Sequence, residues 1–384
     1  MKIIKSLFII PSLFITITSG TIFATTIKVH LTEVKAPYTI DIKGPYKAYN
    51  YKYQSEIVSA LTNERVMVVE HRLGLKVNDV GIYKEGIVFE TEDGFILNGI
   101  EYYGNLKFIP YNGDMIVINE LNIEDYVKGV LPHEMSPDWP IEALKAQAVA
   151  ARTYAMFHIL KNNNELPYDV DNTTKYQVYN GKEKINWTVE QAVDRTKYEI
   201  AIYNDKVIAT YFSALCGGHT DSAKNVFGTA VPYLEGVQCP YCNAQIRTWT
   251  NALSYNELND DFANYSVNAD EKSSIGITMD PKSGKAMNIK IDNNDISSRD
   301  FRTVLSPKLV PSLNFTINKI DNGIIITGKG SGHGVGMCQW GAYGMAQVQK
   351  DYKEILKFYY NGIDIVDYYS SSKTLEPDIW IENW

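Results

Sequence analysis

Glu134 is the carboxylate whose surroundings in the sequence best suit proton transfer. It lies in LNIEDYVKGVLPHEMSPDWPIEALKAQAVAARTYAMFHI (residues 121–159), where apolar spacing predicts helix, short loop, helix, with Glu134 in the loop. An acid fixed between two packed helices is a well-placed proton donor. Loop glutamates are also ordinarily solvated, so spacing motivates a site without establishing one. Lys145 and Arg152, seven residues apart, share a face of the second helix away from its apolar side.

The cysteines offer a second chemistry. Cys216-Gly-Gly-His219 is followed by Cys239-Pro-Tyr-Cys242. Two pairs of soft ligands, each spaced by two residues, suit a tetrahedral Cys3His zinc site, closed and structural. In an oxidising compartment the same cysteines would favour disulfides. Cys338 is left over and reads as a small buried hydrophobe. Pairing it with His333 as nucleophile and base has little support, because a glycine turn separates them. That turn, GSGHGVGMCQWGAYGMA (residues 330–346), sets Gly330, Gly332, Gly334 and Gly336 around His333. It has neither dinucleotide nor phosphate-loop spacing. His333 can hydrogen-bond a substrate or tie the turn to the core.

Several elements must hold these groups. Asn122 suits an N-cap, and Ile123, Tyr126, Val127, Val130 and Leu131 form one buried face. Pro132 and Pro137 interrupt the pattern. Ser136 or Asp138 then caps a second helix with Pro140 in its first turn, burying Ile141, Leu144, Ala148, Ala151, Ala155 and Ile159. Ahead of this segment, residues 27–118 alternate as short strands between Gly, Asn and Asp turns. After it come the loop YDVDNTTKYQVYNG, further strands, a polar stretch (251–301) read as irregular or a small insertion, and a last helix over 343–360. The expected fold class is α+β: a β-rich scaffold with an inserted two-helix catalytic segment and a C-terminal helix.

The chain has 384 residues, 45% hydrophobic and 21% charged, with a net charge of −8. That balance argues against a nucleic-acid partner, which needs a basic patch. Lys2, Lys5, the apolar run 7–17 and Ala24 predict a signal peptide over 1–24, with a membrane anchor as the alternative. The mature protein is expected outside the cytoplasm, in the cell wall or periplasm.

The helix–loop–helix segment, DNTTKYQVYNG, YFSALCGGHTDSAKNVFG with PYLEGV, and GSGHGVGMCQWGAYGMA with YKEILKFYYNG resemble the SpoIID/LytB family (stage II sporulation protein D and amidase enhancer). They occur in family order across about 119–363. The resemblance implies a peptidoglycan lytic transglycosylase acting on peptide-stripped glycan strands, with Glu134 as its single acid–base. It implies substrate-binding roles for Lys145, Gln147 and Arg152, for Gln177 and Tyr179 in DNTTKYQVYNG, and for His333. The asparagine, lysine and tyrosine at 172, 175 and 176 depart from members carrying cysteine or histidine there. Zinc held by Cys216, His219, Cys239 and Cys242 would be a fuller version of sites in some members. A cell-wall amidase is an expected partner, and a non-catalytic murein-binding amidase enhancer is the alternative function. The resulting organisation is a signal peptide (1–24), a β-rich region (27–118), a SpoIID/LytB-like domain (119–369) and a loosely attached tail (370–384).

Overall fold

The computed structural model describes residues 25–78, 80–370 and 375–380; the expected signal peptide lies outside the described residues. The protein is a β-rich α+β fold. Two antiparallel-rich sheets fill its first third. One runs in the order Val170–Asp171, Thr26–His30, Asp114–Asn122, Asn105–Tyr111, Ile87–Thr91, Tyr46–Asn50, Glu56–Ala60. The other is built around Tyr38–Ile42 and Glu64–His71. Alternation puts Tyr38, Ile40, Ile42, Ala48, Val66, Val68, Phe89 and Phe108 inside. The Tyr38 and Phe108 rings meet edge-on at 4.9 Å across the two sheets. Asn112 and Gly113, both at positive φ, close the hairpin between 105–111 and 114–122, as an Asn-Gly pair between alternating runs should.

The strand Asp114–Asn122 passes through the expected boundary at 118/119 and ends on the N-cap of α1 (Ile123–Glu134). Asn122 accepts from the Glu124 amide at 2.8 Å. Glu134 is thus the last residue of α1, not a loop residue. Pro132 sits inside the final turn, where the loss of one backbone donor is tolerated by a helix so well buried. The N-cap of α2 (Ile141–Asn162) is Pro140, with no side-chain cap; Ser136 instead accepts from Asp138 N at 3.4 Å in the connecting turn.

The second helix is the axis of the remaining fold. Residues 143–157 are buried all round apart from Lys145, and alanines at 143, 146, 148, 150, 151 and 155 admit close neighbours. Ile141 and Ile159 are only half-buried. Against it pack α1, α3 (Trp187–Asp194) and the strand Glu199–Tyr203. Beyond a short α4 (Ala223–Phe227), residues 248–329 form an ordered subdomain, so the 251–301 stretch is the small insertion of the two readings and not irregular. It contains α5 (Tyr255–Asp261), α6 (Ser298–Leu309) and two three-stranded sheets. Its polar surface hides a core of Leu253, Leu258, Phe262, Ile289, Ile291, Ile296, Phe301 and Phe315. The expected last helix is two, α7 (Gln339–Gln347) and α8 (Tyr352–Tyr359), both against α2. Gln349 at φ 62° breaks them apart, and Asp351 restarts the chain with a capping box to Glu354. Within the tail, the described residues 375–380 are anchored: Val207 donates to Glu376 O and accepts from Asp378 N, each at 2.8 Å.

Candidate functional site

Gly129 decides how α1 meets the DNTTKYQVYNG loop. A Cβ there would stand 2.5 Å from both Gly181 O and the Tyr179 ring, so only glycine allows the loop to lie flat on the helix. That contact brings Val178 N–H to Glu134 Oε1 at 3.4 Å. Gln339, the first residue of α7, sets its side-chain amide close enough to the same carboxylate to hold its pKa down. Gln339 Nε2 also lies 3.4 Å from Gln147 Oε1 on α2. Four elements (α1, α2, the loop and α7) therefore converge on one acid.

Burial raises the Glu134 pKa, and the Val178 and Gln339 hydrogen bonds only partly oppose it. Neither Lys145 nor Arg152 contributes to that balance. Tyr126 and Tyr154 are electrostatically coupled to the acid, and burial pushes both well above the usual tyrosine range, so they stay neutral. Around it, Gln147 Nε2 and Gln177 Nε2 are buried with no hydrogen-bond partner among the described residues. Such unpaired donors are costly, and a ligand oxygen would satisfy them. Trp139, Trp340 and Tyr343, all half-buried, cluster with centroids 4.5–5.4 Å apart, following Glu134 and Gln339 closely in the chain.

The other residues expected at the site fall elsewhere. Arg152 is fully buried and paired with Glu124 at 2.7 Å, and it also donates to Glu199 O and Val193 O. It ties α1, α2, α3 and a strand together, a structural role that helical spacing could not reveal. Lys145 pairs with Glu142 at 2.7 Å and sits 5.1 Å above the Tyr352 ring, at the junction of α2 and α8. Tyr179 is fully buried and donates to Asn119 Oδ1 at 2.7 Å, while Gln177 accepts from Tyr126 OH at 3.2 Å. His333 spends both ring nitrogens on backbone: Nδ1 accepts from Val335 N at 3.1 Å and Nε2 donates to Phe212 O at 2.9 Å. Burial brings its pKa down to about 4, so it is neutral and holds the turn. Of the expected polar residues, the structure gathers Gln147 near Glu134 and sets Gln177 against Tyr126.

The sulfur site is corrected too. Cys216, Cys239, Cys242 and Cys338 are buried with their sulfurs all within 4.8 Å of one another, and His219 is not among them. His219 lies 2.6 Å from its neighbour's carbonyl, Thr220 O. Parallel pairing of Phe212–Ser213 with Met337–Cys338 carries the distant Cys338 to Cys216, a long-range contact invisible to local spacing. The thiols are free, with Cys216 and Cys242 sulfurs 3.6 Å apart, against about 2.0 Å for a disulfide. Tetrahedral zinc with bonds of about 2.3 Å would set sulfurs roughly 3.8 Å apart, so the cluster fits. Cys338 Sγ accepts from Cys216 N and Gly341 N, both at 3.3 Å, donors that favour thiolate. These four protein sulfurs could bind a metal ion.

A family model described as stage II sporulation protein matches residues 111–203. An uncharacterized protein of Brachyspira hyodysenteriae (strain ATCC 49526 / WA1) is 84% identical over 354 residues, 92% of this chain and 96% of its own. The amidase enhancer of Bacillus subtilis (strain 168) is 29% identical over 88% of this chain, which spans 55% of that longer protein. Stage II sporulation protein D of the same organism is 31% identical over 65% of this chain and 75% of its own. The chain belongs to the stage II sporulation protein D family.

Proposed function

We propose that the protein remodels the cell wall outside the cytoplasm as a lytic transglycosylase, cleaving the MurNAc–GlcNAc bond of peptide-stripped glycan strands. The observation that carries this is Glu134: a half-buried carboxyl whose pKa burial raises, with no cation among the described residues lowering it and unpaired amide donors nearby. Two-carboxylate glycosidases need a second acid as base or nucleophile. A lytic enzyme needs one. Protonated Glu134 donates to the glycosidic oxygen as the bond to C1 of MurNAc breaks. The carboxylate so formed takes the proton of that sugar's C6 hydroxyl, whose oxygen attacks C1 and closes a 1,6-anhydro ring. Neutral acid before cleavage and anion after it is a sequence that a raised pKa serves.

Gln147 Nε2 is available to a substrate oxygen, and the Trp139, Trp340 and Tyr343 rings offer apolar faces to sugars. Gln177, Lys145 and a signal-directed export route belong to the same reading. The metal that fits the four cysteines is zinc, which there would supply structural cross-linking, since four sulfurs leave no free tetrahedral position. The partners are murein strands and a cell-wall amidase that strips them.

The test is to incubate the protein with peptide-free murein strands and analyse fragments by mass spectrometry. Anhydromuramic ends that disappear in Glu134→Gln are expected. Intact strands that the protein nevertheless retains would overturn the enzyme in favour of a murein-binding amidase enhancer.

A further inference from the structure

Cys338 and Gln339 are adjacent, and they face different things. Cys338 belongs to the sulfur cluster and is the N-cap of α7, its Sγ accepting from Gly341 N. Its neighbours are fixed as well: Met337 N donates to Tyr211 O and Trp340 N to Ala214 O, both at 3.1 Å. Gly341 and Gly344 let α7 seat directly on the Cys239–Cys242 segment, since a Cβ at either would collide with Tyr359 OH or Tyr241 O. The first turn of α7 is thereby clamped at the sulfurs. Gln339, 5% exposed, extends from that turn to Glu134 and Gln147.

We propose that Gln339 is a positioning residue for Glu134, and that the four-cysteine cluster, when metal-loaded, holds it in place. The inference deepens the glycan-cleavage reading and rests on it for the acid's role. Gln339 has one side-chain amide with two N–H groups; its Nε2 lies 3.4 Å from Gln147 Oε1, and the same amide lowers the pKa of Glu134. This arrangement orients the acid after it has lost its proton, when the anion must be held for the second step. Among the described residues the titratable groups coupled to Glu134 are Tyr126 from α1 and Tyr154 from α2, both neutral, and Gln339 is the side chain that lowers its pKa. A metal held by the four sulfurs would bond Cys338 to Cys216, Cys239 and Cys242, stiffening a turn that the backbone bonds at Met337 and Trp340 already place.

The experiment uses the protein loaded with Zn2+ and the infrared carboxyl band assigned to Glu134 by difference against Glu134→Gln. Gln339→Met keeps the side chain's length and removes its donors. Its band should titrate at higher pH than in the parent. Cleavage should fall about 10- to 100-fold in kcat with little change in KM, the size of one lost hydrogen bond to a charge. Removing Zn2+ with a chelator, with circular dichroism showing the fold retained, should move the band the same way, and restoring Zn2+ should reverse it. An unmoved band in Gln339→Met overturns the proposal. A band that moves in that variant but not on metal removal overturns the cluster's part in it. If the parent cuts no glycan yet the band moves in both arms, the enzymatic reading fails and the positioning link stands.

Discussion

At the scale of single residues, Glu134 and Arg152 show opposite ways of burying a charge. Arg152 arrives with its counter-ion, Glu124, and with two backbone carbonyls. Removing one member of such a pair strands the other, so Arg152→Met should lose about 3–5 kcal/mol in urea denaturation, with much of the loss recovered in Arg152→Met/Glu124→Leu. Loss of murein binding without loss of stability would instead return Arg152 to the substrate. Among the described residues no cation lowers the pKa of Glu134, and burial raises it. The folded protein thus binds that proton more tightly than the unfolded chain does. Its stability contribution is full below the ordinary carboxyl pKa and falls as pH rises through the elevated one. Glu134→Gln should therefore melt higher than the parent at neutral pH, the gap closing on acidification, while glycan cleavage drops about 10²- to 10⁴-fold. In the parent, cleavage should decline as pH rises through the same elevated pKa. Glu134 was legible from its segment and from the motifs around it. Gln339 was not, because a glutamine between a cysteine and a tryptophan carries no local sign of what its amide will reach. The buried ion pair of Arg152 was not legible for a related reason: a helical face remote from the apolar stripe can meet water or another helix, and only packing decides.

At the scale of elements, the caps and turns were the readable part. Asn122 caps α1 and the Asn112–Gly113 hairpin closes as their types dictate. Less readable were ends governed by tertiary packing, such as α1 running through Pro132 and α2 starting at Pro140 without a side-chain cap. Over residues 251–301 the choice between irregular structure and a small insertion stayed open because the strands there show one polar face each and the core residues are scattered through a hydrophilic stretch. The closest element contact at the site predicts its own test. Gly129→Ala pushes against Gly181 O and the Tyr179 ring, and overpacking of this kind costs about 1–3 kcal/mol. Because it lifts the loop that carries Val178 N, cleavage should fall by more than the lost folded fraction explains, as comparison of activity with denaturation midpoint would show.

Across the whole molecule, the sulfur cluster joins segments that sequence keeps far apart. Metal analysis should find a single Zn2+ per chain, lost in Cys338→Ser and retained in His219→Ala; the reverse would restore the Cys3His set. Stripping the metal should lower the melting temperature. The sheet order adds a constraint on fragments: Val170–Asp171 pairs with Thr26–His30, and Asp114–Asn122 leads without interruption into α1. A fragment beginning at residue 119 would cut a strand and bare two sheet edges, so it should aggregate where the longer chain does not.

The subdomain of residues 248–329 leaves and re-enters the fold through paired strands, with Thr248 opposite Lys329. Its two ends are therefore neighbours, and the chain outside it is already closed around the cluster by the pairing of Phe212–Ser213 with Met337–Cys338. It is built as a cassette: with its ends paired, its length bears little on the register of the acid and its helices. Excision would be felt where the cassette touches the glycine turn, at Lys285 beside Asp221 and at Pro311 O beneath Gly332, and not at α1 or α2.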